Sequence, residues 1–194
     1  PFSCLEQQTS KAVGLRDGKL WQTVVANLPT YLDSDGLASY FPPRSGDANT
    51  GSDTLTAYLL AATHEAAAIN PAFALPDEAR APMERALIAF VEGRIQRNHW
   101  SPRKDLDMRK LAAIEALSRY GKAQGRMVSS ITIAPNQWPT HSVIDWVNVL
   151  KRVADVPERD KRLAEAMQIL RARLSFQGTK LIFSTEPQDH WWWL

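Results

Sequence analysis

One cysteine among 194 residues excludes an internal disulfide framework and leaves the redox compartment unmarked. No apolar run approaches the roughly 20 residues that a helix needs to cross a bilayer. Charge of one sign is also missing, since 23 basic and 21 acidic residues leave a net charge of +2. That balance gives no electrostatic case for nucleic acid, and no arginine-rich patch interleaved with aromatics supplies one. None of the four histidines shows metal-ligand spacing with a carboxylate or a second sulfur. No metal and no cofactor are expected.

What remains is an ordinary globular balance, 44% apolar and 23% charged. The length suits one well-cored domain, so residues 1–194 are read as a single unit. Apolar residues recur at helical spacing almost throughout. The stripes are Leu20/Trp21, Val24/Val25, Leu28 and Leu32, then Leu55, Tyr58/Leu59, Ala62 and Ile69. Met83, Ala86/Leu87, Phe90/Val91 and Ile95 form a third, with Pro82 expected in the first turn. Leu111, Ile114 and Leu117 follow, then Val143, Trp146/Val147, Leu150 and Val153, and last Leu163, Ala166/Met167, Leu170 and Leu174. Each stripe is amphipathic, so each helix buries one face.

Turn-forming residues separate the stripes at 33–36, 42–46, Asn70-Pro71, Gly121, 135–139 and Val156-Pro157. Asp53 and Asp107 each precede an alanine-rich stretch and are expected as N-caps. Gly178 to Thr185, around Leu181-Ile182-Phe183, is the one extended segment expected. The pattern predicts an all-α fold of successive helical hairpins with at most a short β segment near 178–185.

The single cysteine lies in Cys4-Leu5-Glu6-Gln7. A tight helical or turn backbone brings the side chains of residues three apart together. There the sulfur of Cys4 can attack the carboxamide carbon of Gln7, expel ammonia and close an internal thioester. The bland alternative for such a cysteine is a small buried hydrophobe. A thiolate is the attacking species. A helix opening beyond Cys4 would aim its free N–H groups at the oxyanion that forms. The product must also be kept from water. Aromatic cover is the obvious means; seven tryptophans could provide it, Trp21, Trp100 and Trp138 among those interior to the chain. Glu6 either bonds backbone amides around the turn or is a solvated charge.

The stretch Pro1-Phe2-Ser3-Cys4-Leu5-Glu6-Gln7-Gln8-Thr9-Ser10 resembles the thioester region of bacterial α2-macroglobulins. Two further segments carry the same resemblance, Gly51 to Tyr58 and the terminal His190-Trp191-Trp192-Trp193-Leu194. Both chain ends read as those of an excised fragment of a larger multidomain protein.

The resemblance implies an incomplete α/α toroid, part of a thioester domain. It also implies a protease-inhibitor trap: after bait cleavage elsewhere in the full protein, a lysine amine of the attacking protease captures the Gln7 acyl group. Such a protein is a stoichiometric endopeptidase inhibitor rather than an enzyme. Its partners are target proteases and the neighbouring domains of its own chain, with no membrane contact by this domain. The implied location is the periplasm, on a precursor lipid-anchored to the inner membrane, in a role of bacterial defence.

In the related complement proteins a loop histidine takes over the acyl group. The matching loop falls near Asn98 to Asp105 and looks shortened here, with His99 its only histidine. His99 is thus an acyl carrier or a capping and surface group, while His64, His141 and His190 read as packing, solvent or capping groups. Ser3 and Leu5 stand where vertebrate members carry glycines, which changes the steric demands of the turn. Two other readings stay open from the residues alone. One is a cysteine-nucleophile enzyme using Cys4 with His99 or His141 as base. The other is a helical-hairpin binding module with an inert cysteine.

Overall fold

A computed structural model of the chain describes residues 3–46, 49–97 and 103–183. Its described residues are mostly helical, and the β structure among them is a short two-stranded hairpin together with one isolated bridge, Leu32 to Ala38. The all-α expectation holds. The backbone clusters into two compact units, Pro1–His99 and Trp100–Leu194.

In the first unit, α1 (Leu5–Gly14) buries Leu5, Thr9 and Ala12, one stripe at helical spacing. Arg16, in the left-handed region (φ 54°), turns the chain into α2 (Gly18–Asn27). Asp17 caps α2, its carboxylate accepting from the N–H groups of Lys19 (3.1 Å) and Leu20 (3.0 Å). The two helices form the first hairpin. Trp21 and Val24 of α2 face inward, and the Trp21 ring packs against Phe73 at 5.9 Å.

A loop then leads to α3 (Asp53–Ile69), which buries Leu55, Leu59, Leu60, Thr63 and Ala66. Its cap is Ser52, whose hydroxyl accepts from the Leu55 N–H at 3.2 Å. Asp53, expected as the cap, is instead the first helical residue and is buried. Asn70 ends α3, and a short 3₁₀ turn leads to α4 (Asp77–Val91). Pro82 was expected in the first turn but lies inside α4. The helix starts one turn earlier, where Asp77 and Glu78 suit its amide end.

The loop before α3 is pinned by a buried carboxylate. Asp33 Oδ1 accepts from the N–H groups of Asp35 and Leu37, and its Oδ2 accepts from Gly51 N–H (2.9 Å) and the Arg97 guanidinium (2.7 Å). The Asp33 and Arg97 side chains are only 1% and 3% exposed. Such a pair is tolerable in the interior because further hydrogen bonds satisfy the carboxylate.

The described residues of the second unit include three α-helices in succession. α5 (Arg103–Arg119) buries Leu111, Ala113, Ile114 and Leu117. α6 (Thr140–Arg152) packs on both α5 and α7 (Arg159–Arg173), with Val143, Trp146, Val147 and Leu150 inward. Asp107 is no cap either: it sits within α5, and its Oδ2 accepts from Thr132 N–H, Thr132 Oγ1–H and Ile133 N–H. It serves a loop distant in sequence rather than its own helix.

α7 gives way directly to β1 (Leu174–Gln177), paired antiparallel with β2 (Lys180–Phe183) across a turn where Gly178 takes φ +62°. The β segment thus begins a few residues before the expected stretch, and Leu174 is a strand residue rather than the end of a helical stripe. Backbone pairing with Phe183 replaces the next helical turn.

Candidate functional site

Cys4 occupies the N-cap of α1 in an extended conformation (φ −74°, ψ 166°). Position fixes what its neighbours can do. The first N–H groups of a helix lack intrahelical partners, and here Leu5 N–H goes to the Tyr40 carbonyl at 2.9 Å. Leu5 itself is fully buried, so the start of α1 is anchored by both its backbone and its side chain. Gln8 fastens the approach. Its side-chain amide donates to the Ser3 carbonyl at 2.8 Å and to the Tyr31 hydroxyl at 3.2 Å.

With the helix start held, residues 4 and 7 form a capping box. In that motif the N-cap side chain faces the N3 backbone amide, and the N3 side chain reaches back to the N-cap N–H. Here the usual hydroxyl is a thiol and the usual glutamate is Gln7. The Cys4 N–H donates to Gln7 Oε1 at 3.3 Å. The residue that bears the thiol and the residue that bears the carboxamide are therefore linked by an ordinary device for starting a helix. A donor already sits on the oxygen where negative charge would develop.

Glu6 lies two residues beyond Cys4, in the first turn of α1. The Cys4 thiol points at Glu6 Oε2 across 4.0 Å, while Ser10 Oγ donates to Glu6 Oε1 at 2.8 Å. Ser10 Oγ and the Tyr58 hydroxyl are 2.6 Å apart. A serine hydroxyl has one proton, and with that proton committed to Glu6, Tyr58 is the donor to Ser10. Tyr58 comes from α3, so the chain of bonds ties two helices together at the site.

Tyr40 closes another side. Burial pushes its phenol up from the ordinary tyrosine range. A hydrogen bond with Ser52 pulls the other way, and negative charge at Cys4, Glu6 and Asp53 adds to the rise. Its ring still leaves 44% of the residue exposed, and Phe41 beside it is 55% exposed.

The expected pair, Cys4 and Gln7, is thus brought together, and Glu6 joins it through the thiol. His99, Trp100, His190 and Trp191 to Trp193 lie outside the described residues. Of the aromatics considered as cover, Trp21 packs on Phe73, and Trp138 belongs to the second unit, stacked edge-on against Trp146 at 5.8 Å. Two tyrosines bear on the site instead, Tyr40 through the charge of Cys4 and Tyr58 through Ser10 and Glu6. Tyr58 was legible only as a helical stripe member. Tyr40 carried no signal, because a loop residue has no periodicity to betray its direction. Among the described residues, no group of three or more His, Cys, Asp or Glu could hold a metal ion. No described helix is long and apolar enough to cross a membrane.

No family model matches the chain, and no curated protein does. A solved structure is similar to it: the native conformation of E. coli alpha-2-macroglobulin, with a TM-score of 0.64 at 16% identity. The match covers 88% of this chain but 12% of that one, so the chain spans a small part of the larger protein's length. The likeness is one of fold, and it places these helical hairpins in the same architecture as a segment of an alpha-2-macroglobulin.

Proposed function

We propose that the chain is the thioester-bearing part of a protease trap of the α2-macroglobulin type. Cys4 and Gln7 would form the internal cross-link, and a lysine amine of a protease would open it after bait cleavage elsewhere in the full-length protein. The observation that carries this reading is the capping box, in which the Cys4 N–H already polarises the Gln7 carbonyl at 3.3 Å. Fold similarity to alpha-2-macroglobulin supports it independently.

The same reading brings the remaining expectations with it. The chain acts once and stoichiometrically, not as an enzyme. It is one domain of a larger periplasmic, lipid-anchored protein, within an incomplete toroid of hairpins. Target proteases and the neighbouring domains are its partners. A cysteine-nucleophile enzyme fits less well, because the carboxamide held against Cys4 belongs to the protein itself rather than to a substrate.

Mass spectrometry of protein prepared without amines tests the reading. The expected result is a mass deficit of one ammonia and a Cys4 that resists alkylation. Methylamine should then add at Gln7 and release one thiol, and Cys4→Ala should do neither while folding normally. Immediate alkylation of Cys4 beside an unaltered Gln7 carboxamide overturns it.

A further inference from the structure

We propose that Glu6 is the proton carrier for the reaction between Cys4 and Gln7, held at its post by Ser10 and Tyr58. This rests on the thioester reading above and assigns a role within it.

The arrangement that carries the inference has three links. Glu6 Oε2 is the acceptor facing the thiol, at 4.0 Å from Sγ. Its other oxygen is fixed by Ser10 at 2.8 Å, and Ser10 is fixed in turn by Tyr58 at 2.6 Å. A solvated surface glutamate would have no such tether. Glu6 is half-buried, its two oxygens face the Cys4 thiol and the Ser10 hydroxyl, and its charge is felt by the Tyr40 phenol. A carboxylate held with one oxygen bonded and the other facing a thiol is placed as a general base should be.

The step balances without any further reagent. As the Cys4 sulfur bonds to the Gln7 acyl carbon, its proton passes to the Glu6 carboxylate. The tetrahedral intermediate collapses by breaking the bond from carbon to nitrogen. Glu6 returns the proton to that nitrogen, and ammonia leaves. Opening runs the same way in reverse sense. An attacking amine gives its proton to Glu6 as the new bond from carbon to nitrogen forms, the carbon–sulfur bond breaks, and Glu6 hands the proton to the departing sulfur. Tyr58 and Ser10 do not touch the reacting atoms and are positioning residues.

The experiment follows conversion of Gln7 by peptide mass spectrometry after the unfolded chain is returned to native buffer. Both the cross-linked peptide and its hydrolysis product, a carboxylic acid at position 7, count as conversion. Glu6→Gln should slow conversion about a hundredfold while leaving the helical circular-dichroism signal unchanged. Glu6→Asp should recover part of the loss, and acetate added to Glu6→Gln should restore rate in proportion to its concentration. Ser10→Ala should slow conversion less, and Ser10→Thr should restore it by returning the hydroxyl. A Glu6→Gln protein that converts at the wild-type rate, or one that acetate leaves unmoved, overturns the role of Glu6 alone. A wild-type chain whose Gln7 never converts overturns the thioester reading, and the role of Glu6 falls with it.

Discussion

Thr9 sits two residues beyond Gln7 on α1, fully buried, and its Oγ1 meets no hydrogen-bond partner among the described residues. A buried hydroxyl without a partner costs free energy that an apolar group of the same shape does not. Thr9→Val is therefore expected to be neutral or to stabilise by up to about 1 kcal/mol, read as the midpoint of urea denaturation. It should leave conversion of Gln7 unchanged, since Thr9 packs inward. Gln7, on the outer side, is the opposite case: exposed, yet with its carboxamide engaged by the Cys4 N–H. Only a spacing of three was needed to foresee that pair. Ser10 and Tyr58, which finish the site, are 48 residues apart and meet through packing of α1 on α3, which no local pattern encodes.

At the scale of elements, the start of α3 shows how small residues set large ones. Gly51 lies where an added Cβ would come within 2.6 Å of Asp33 Oδ2 and 2.5 Å of the Leu37 side chain. That space is needed because the Gly51 N–H must reach the buried Asp33 carboxylate. Gly51→Ala should thus weaken the Asp33–Arg97 pair and destabilise the first unit by about 3 kcal/mol, in the range for disturbing a buried ion pair. Ser52→Ala, next in sequence, removes a cap and a hydrogen bond to Tyr40 and should cost less, about 2 kcal/mol. If denaturation curves reversed that order, the close approach at Gly51 would not be the constraint. The cap expected at Asp53 failed by one residue, because Ser52 has the extended backbone that a cap requires and Asp53 is already helical. The cap expected at Asp107 failed because its carboxylate is claimed by the Thr132–Ile133 backbone.

At the scale of the folded molecule, Asp145 in the second unit makes one contribution to the dependence of stability on pH. It lies on α6, largely buried, and burial raises its carboxyl to about 7, with the Glu115 carboxylate adding to the rise and Arg119 and Arg152 opposing it. Those arginines are already engaged by Glu115, at 2.8 Å and 2.7 Å. The folded chain therefore keeps a proton that the unfolded chain releases near 3.8. Stability from this group is fully present below that value and falls as pH rises towards 7. Asp145→Asn copies the protonated form, so it should stabilise by about 2 kcal/mol at pH 8 and change little at pH 4. Equal effects at both values would show that Asp145 titrates normally. At this same scale lies the fold likeness to a far longer alpha-2-macroglobulin, of which the chain matches 12%.

Composition and periodicity by themselves determined an all-α chain of amphipathic helices, and a spacing of three determined which side chains could meet at Cys4. Both are local properties, set by the 3.6-residue turn. Only tertiary structure decided that Tyr58 would reach Ser10, that Tyr40 would hold the start of α1, and that Asp33 would find Arg97 and Asp145 would feel the charge of Glu115. Those contacts join residues far apart in the chain. They exist because packed helices place particular side chains within a few ångströms of one another.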